Sequence, residues 1–476
     1  MSELVDHNGC DIRALRLSKR LSQAKLALLL DVPQFQLSQW ELGKTPIPAN
    51  IAERICSVIG KLEEGHVVRL RKKRYQAHHY LDIGAIIAKK APHQAGAVRA
   101  NREYLSHLDC LEAGRHGEHN GKPRPNGIAL FAGCGGMSLG FSWAGFHVRG
   151  FVELEAGFRH IYGLNFPEAA ELGSDVRQLD DAVVEGWQKR FGKIKVLFGG
   201  PPCQGFSLTG KRDRLDPRNQ LFRHFVRVAA ILRPPALLVE NVRLLTSMKS
   251  AEGNMVKDEI TEAFNEIGYV MAHMVVDAQD YGVPQHRERV FFIGLRRDMG
   301  LRPSFPEPSH GASGAGDLFS PKLEPYRTFR VATCDLEPLE SGHRSANDTW
   351  HEAVGHPQHV IEWLKDVPEG SSAHENPDPK MRPPSGYNTT YKRLRWDEPA
   401  STVGTTFGMI SGCRNVHPFH TRSLTVREAL RCQTFPDSFK LDGTLGSVRT
   451  SIGNAVPPLL AFALAGHIKR LLLPLD

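Results

Sequence analysis

At 476 residues the chain is long enough for two or three domains with cores of their own, and its 41% hydrophobic and 24% charged residues are ordinary for a globular protein. A formal charge of +8 and a pI of about 9.0 favour a polyanionic partner such as nucleic acid. The opening residues lack the apolar core of a secretion signal, no run nears the roughly 18 apolar residues of a membrane span, and the eight cysteines show no CxxC or zinc-ligand spacing, so the expectation is a cytoplasmic protein with reduced thiols, no membrane contact and no metal.

Residues 1–65 read as a small helical unit. Leu15, Leu26, Leu29, Val32, Leu37, Trp40 and Ile55 recur at helical spacing, Ser22 can cap one helix, and Asp31 with Pro33 marks a tight turn into a second that ends at Gly43. Two short helices across such a turn predict a helix-turn-helix, with Gln34, Gln36, Ser38 and Gln39 presented to base edges and phosphates. A helical hairpin that only packs on its neighbour is the alternative. The spacing of Gln23, Ala27, Val32, Ser38, Trp40, Glu41 and Gly43 resembles the repressor-like helix-turn-helix family, although Asp31 stands where that family has a glycine in the turn. Residues 66–125, with "RLRKKRY" at 69–75 and a Gly- and His-rich end, read as a basic linker region.

From Asn126 the texture changes to short apolar runs separated by helical stretches. Strands are expected at 127–131, 147–153, 195–200, 236–241 and 289–295, with helices at 219–232 and 255–267, which predicts a doubly wound α/β sheet over 126–300. Residues 301–424 are irregular and rich in Pro, Gly, Ser and His, as expected of a second, smaller domain. Residues 425–476 turn helical again and can return to the α/β domain.

The first strand runs into "LFAGCGGMSLGF", where Gly133, Gly135 and Gly136 permit a tight turn and close approach to a ligand. Glu153 ends the second strand, where α/β cofactor domains hold ribose hydroxyls, and Asp175 follows a third. In that order these features predict an adenosine-containing cofactor, whereas a strand-to-helix turn is the bland reading of the glycine loop alone. Farther on, "LFGGPPCQGFS" sets Cys203 behind two glycines and two prolines at the end of a strand. Glu240 ends the next strand, and "PQHRERVFF" brings Gln285, Arg287 and Arg289 in at alternate positions, so that 287 and 289 face one side. A thiol, a carboxylic acid and guanidinium groups at one sheet edge suit covalent catalysis on an electron-poor ring. Singly, each has a quieter reading: a buried thiol, a capping acid, a salt-bridge arginine.

Six segments in order, "LFAGCGGMSLGF", "GGPPCQGFS", "ENV", "QHRERV", "LTVREALRCQTFPDSF" and "GNAVPP", make the chain from Ile128 onward resemble the cytosine-5 DNA methyltransferases of bacterial restriction-modification systems. The resemblance implies a Rossmann-like domain that uses S-adenosyl-L-methionine, and double-stranded DNA as substrate with its target cytosine flipped out. Cys203 would be the nucleophile and Glu240 the proton donor, supported by Arg287 and Arg289. Phe131, Gly133, Gly135, Glu153, Asp175 and Asn454 match the cofactor pocket, and Ser207, Arg212 and Gln285 match DNA-contacting positions. Residues 301–424 fall where the family keeps its target-recognition domain. Two positions depart from the pattern: Ala129 replaces an acidic residue, and Leu154 replaces an aromatic that follows the glutamate. Cys134 and Cys432 match variable positions and read as core.

The resemblance further implies a functional link to a cognate restriction endonuclease, an N-terminal unit that could form a homodimer, and control of transcription, of its own operon included. The competing readings are a regulator whose catalytic half has decayed and, more weakly, an RNA methyltransferase.

Overall fold

The computed structural model describes residues 94–115, 117, 123–202, 221–250, 253–312, 323–412 and 414–473. In the N-terminal part it describes residues 26, 27, 30, 32, 34–41, 45, 47, 48, 51 and 55. The chain divides into two compact units, Met1–Ala91 and Pro92–Asp476.

In the first unit helix α1 spans Gln34–Glu41, where the sequence places the second helix of the pair. Leu26, Ala27, Leu30, Leu37, Trp40, Ile47, Ile51 and Ile55 are buried together, with Val32 packed against them, and the Val32 amide donates to the Ala27 carbonyl at 3.0 Å. Helix-period apolar residues thus meet across a short turn. Gln36 and Gln39 are half-buried on α1; Leu15, Ser22 and Leu29 and the side chains of Gln34 and Ser38 lie outside the described residues.

The second unit begins with α2, Gln94–Arg115. Here the expected linker is corrected, because α2 is docked. The Tyr104 hydroxyl, 2% exposed, donates to the Arg431 carbonyl at 2.6 Å, and Asn101 Nδ2 donates to Val331 O and Asp335 Oδ1. Among the described residues seven strands then form one sheet: β1 Asn126–Leu130, β2 His147–Val152, β3 Ala170–Gly173, β4 Ile194–Gly199, β5 Ala236–Val242, β6 Tyr269–Asp277 and β7 Glu288–Arg296. Helices α3 Gly136–Trp143, α4 Ala156–Asn165, α5 Asp181–Phe191, α6 Leu221–Leu232 and α7 Val256–Glu266 alternate with them. The sheet order is β3-β2-β1-β4-β5-β7-β6, parallel except that β7 runs antiparallel to both its neighbours. Alternate strand residues feed two cores. Ala129, Val196, Phe198, Leu238, Phe291 and Ile293 face one, and Ile128, Leu130, Leu197, Leu237, Val239 and Phe292 face the other. Both faces are covered, so the strands read as unbroken apolar runs.

Residues 301–424 are mostly irregular, as expected, with short helices α8 Phe329–Thr333 and α9 Gln358–Leu364. The chain then returns through α10 Val426–Cys432, α11 Leu445–Asn454 and α12 Pro458–Leu472. Helix α12 packs on α3 so closely that a Cβ at Gly140 would lie 2.5 Å from Ala461 Cβ and from the Pro458 carbonyl oxygen. The stretch Leu445–Leu472 is long and apolar enough to cross a membrane, but 72% of its most apolar window is buried inside the protein.

A polar cluster holds the irregular domain to this return. The buried Arg393 guanidinium donates to the carbonyls of His417, Phe419, His420 and Leu364, and Arg422 forms a bidentate pair with Glu428 at 2.8 Å on each arm. His356 is buried beside it and accepts from the Ser423 amide. Burial, with Arg422 and Arg449 close by, pulls His356 down to about 4, and His417 is lowered by burial and Arg422 in the same sense. These rings stay neutral in the folded protein, whereas the unfolded chain gains a proton at each below about pH 6.5. Stability is therefore full above pH 6.5 and declines toward pH 4. Urea unfolding followed by tryptophan fluorescence should show a loss on the order of 2 kcal/mol from His356 alone between pH 7 and pH 5. The loss should shrink in His356→Leu, and equal stability of the wild type at the two pH values would contradict it.

Candidate active site

The strand order reverses between β1 and β4, so the crevice for a ligand opens at the carboxyl ends of those strands. The chain leaves β4 through Gly200, Pro201 and Pro202. A Cβ at Gly200 would lie 2.7 Å from Glu240 Oε2, so any larger residue here must displace the carboxylate. Asn241, 4% exposed, donates from Nδ2 to the Pro201 carbonyl at 3.0 Å and accepts from the Val242 amide at 2.8 Å. Cys203, Ser207 and Arg212 lie outside the described residues, but the point from which the chain delivers Cys203, one residue beyond Pro202, is fixed against Glu240.

Glu240 and Arg289 are diagonal neighbours across β5 and β7, where Val242 pairs with Arg289 and Glu240 with Phe291. Arg289 Nε sits 3.1 Å from Glu240 Oε1, with the side chains 18% and 13% exposed. Burial raises the Glu240 carboxyl above its ordinary range, and Arg289 and Arg287 pull against that rise. An acid held in this way can give a proton near neutral pH. Arg287 is buried and donates to the carbonyls of Val403 at 3.1 Å and Gly453 at 2.8 Å, so it ties the β7 entry to the irregular domain and to α11. It positions Arg289 by fixing the backbone that carries it.

The Gln285 expectation needs correction. Gln285 is fully buried: its Nε2 donates to Cys432 O and Gln433 Oε1, and its Oε1 accepts from the Val403 amide. Its polar atoms are spent on joining chain segments, so it positions the active site and does not reach DNA.

Beside this lies the crevice over β1 and β2. Phe131 holds φ +53°, strained for a bulky residue, and leads to left-handed Gly133 and Gly135. The Gly133 amide donates to Glu153 Oε2 at 2.7 Å and the Glu155 amide to Oε1 at 2.9 Å. Each carboxylate oxygen keeps a lone pair, and the space at the Gly133 Cβ position is open. These acceptors fit the hydroxyl donors of a ribose diol. Leu154 beside it is 56% exposed, an apolar surface at the aromatic's position. Asp175 is gripped by its neighbour, accepting from the Arg177 amide and guanidinium between 2.6 and 3.0 Å. Asn454 is exposed at the end of α11, and Ala129, Cys134 and Cys432 are core. Gly200 and Asn241 stood inside the motifs without the partners they contact, and no motif pointed to Asp277 or Val403; the apposition of chain segments reveals these contacts.

Residues 126–470 match the model of the C-5 cytosine-specific DNA methylases, and residues 12–64 match a helix-turn-helix family. This chain belongs to the C-5 cytosine-specific DNA methylase family. It is 38% identical over 349 residues to the Type II methyltransferase M1.HphI of Haemophilus parahaemolyticus, covering 72% of this chain and 86% of the relative. It is 33% identical over 382 residues to M.DdeI of Desulfomicrobium norvegicum, covering 72% and 88%. A crystal structure described as a DNA modification methyltransferase encoded within an E. coli prophage superposes with a TM-score of 0.57 at 26% identity, covering 73% of this chain and 99% of that one. The enzyme is a DNA cytosine-5-methyltransferase of the Type II restriction-modification kind with an N-terminal helix-turn-helix domain. In this methyltransferase Gly200→Ala should push the Glu240 carboxylate aside and lower single-turnover methylation by roughly 10- to 100-fold with little change in thermal stability. A rate equal to wild type would show that the contact is not needed.

Proposed function

We propose that the enzyme moves a methyl group from S-adenosyl-L-methionine to carbon 5 of a cytosine flipped out of double-stranded DNA. The observation that carries the reading is Glu240, paired with Arg289 and abutting Gly200 where the chain delivers Cys203. Carbon 5 of cytosine is a poor nucleophile. Addition of the Cys203 thiolate to carbon 6, with Glu240 giving its proton to ring nitrogen 3, makes the ring an enamine nucleophilic at carbon 5. Arg289 holds the exocyclic oxygen and steadies the Glu240 charge. Phe131, Gly133, Gly135, Glu153 and Asn454 would hold S-adenosyl-L-methionine, with Asp175 joining them once the exposed Arg177 side chain turns away. When bound, that cofactor supplies an electrophilic methyl group. Loss of the carbon 5 proton then ejects the thiol from carbon 6. The ring edge must leave the duplex to meet these groups, which is base flipping.

Ser207 and Arg212 contact the DNA backbone in this reading, and residues 301–424 read bases from the major-groove side. The enzyme acts in the cytoplasm, where it protects DNA from a cognate endonuclease. Gln34, Gln36, Ser38 and Gln39 contact DNA from the N-terminal unit, which acts as a homodimer to regulate transcription, its own operon included.

Label from S-adenosyl-L-methionine should appear at carbon 5 of cytosine within one short motif of unmethylated genomic DNA, and Cys203→Ser should abolish it. Absence of transfer by folded wild-type protein would overturn the reading. Deleting residues 1–91 should spare methylation while removing binding to the gene's upstream region; retained binding would refute the regulatory role.

A further inference from the structure

The motif that supplies Gln285, Arg287 and Arg289 also carries a residue that points the other way. His286 lies between two buried side chains, yet its own is 55% exposed. Its ring Nδ1 sits 2.5 Å from Asp277 Oδ2. Asp277, 14% exposed, is the last residue of β6; it also accepts the Gln279 amide at 2.8 Å and, through Oδ1, the Arg287 backbone N–H at 2.9 Å. The imidazole is therefore oriented by a carboxylate that is itself fixed to the active-site backbone. Its remaining nitrogen, Nε2, is left at the exposed end of the ring.

The location is specific. β7 runs antiparallel to β5, so its entry stands at the same sheet edge as Glu240. There the His286 amide donates to the Ala400 carbonyl at 2.8 Å, and Thr402 Oγ1 donates to the His286 carbonyl at 2.8 Å. His286 thus occupies the seam where the catalytic sheet meets the irregular domain. A duplex with one base in the pocket and its neighbours against residues 301–424 must cross this seam.

We propose that His286 is a DNA-binding residue, its Asp277-oriented imidazole donating from Nε2 to a backbone phosphate of the bound duplex. The inference rests on the functional reading above. Among the described residues nearby, Asp280 accepts from the Tyr326 hydroxyl and Glu288 is paired with Arg243. Asp277 at Nδ1 and a phosphate oxygen at Nε2 are both acceptors, so the ring would bridge them as a donor on both sides.

The test uses the full chain and a fluorescent duplex carrying the motif found by the transfer assay. His286→Ala should raise Kd and the KM for DNA roughly three- to tenfold, with kcat within twofold and thermal stability unchanged. His286→Lys should restore affinity, and His286→Glu should bind more weakly than His286→Ala. An unchanged Kd in His286→Ala, a fall in kcat at constant Kd, or a Lys variant as weak as Ala would overturn the proposal. If wild-type protein methylates no DNA, the functional reading fails; if it methylates and the Ala variant matches it, this inference alone fails.

Discussion

Two opposite charges held 3.1 Å apart in a largely dry place are the constraint around which the catalytic half is arranged. Taking Glu240 and Arg289 out of water costs several kcal/mol per ion, and their attraction offsets this only if the geometry is kept. The keeping is visible. Antiparallel β7 sets the two side chains diagonally across from β5, Arg287 fixes the entry to β7 through two carbonyls, and Asn241 pins the departing end of β4 beside them. Each contact joins segments far apart in the chain, so the carboxyl stays aimed without help from substrate.

The same logic explains why the irregular domain does not drift from the sheet. With few strands or long helices of its own, it cannot satisfy its backbone by regular hydrogen bonding. Arginines act as the substitute: Arg393 gathers four carbonyls and Arg422 closes on Glu428, whose carboxylate also completes the capping box at Thr425. A loop-rich domain of this kind can vary at its surface while its attachment stays constant, which suits the sequence-reading task proposed for it.

Much of this was legible in the residues. Strands β1, β2, β4, β5 and β7 announce themselves as apolar runs because both faces are buried, and their ends fall within two residues of expectation. β6 escaped notice because it is the edge strand: His273, Met274 and Val275 are partly exposed, so "YVMAHMVVD" shows neither an unbroken run nor clean alternation. α2 escaped because its anchoring rests on Tyr104 and Leu108 amid charged residues. Gln285 stood out by its place in the motif, but a motif carries no depth, and depth decides whether a polar side chain meets DNA or carbonyls. Gly200 beside Glu240 was invisible for a related reason, because no local pattern records which distant carboxylate a glycine must pass.

The close packing of Gly140 on Ala461 has a consequence for the order of synthesis. α3 follows directly from the first cofactor motif, and all eight of its residues are buried, largely under α12. A ribosome therefore releases the cofactor loop long before the helix that covers its support exists, and the sheet must wait, one face bare, while the irregular domain emerges. In the unit of residues 1–91 the described apolar cluster draws only on residues 26 to 55. During each round of translation that cluster can close while the catalytic part is still open.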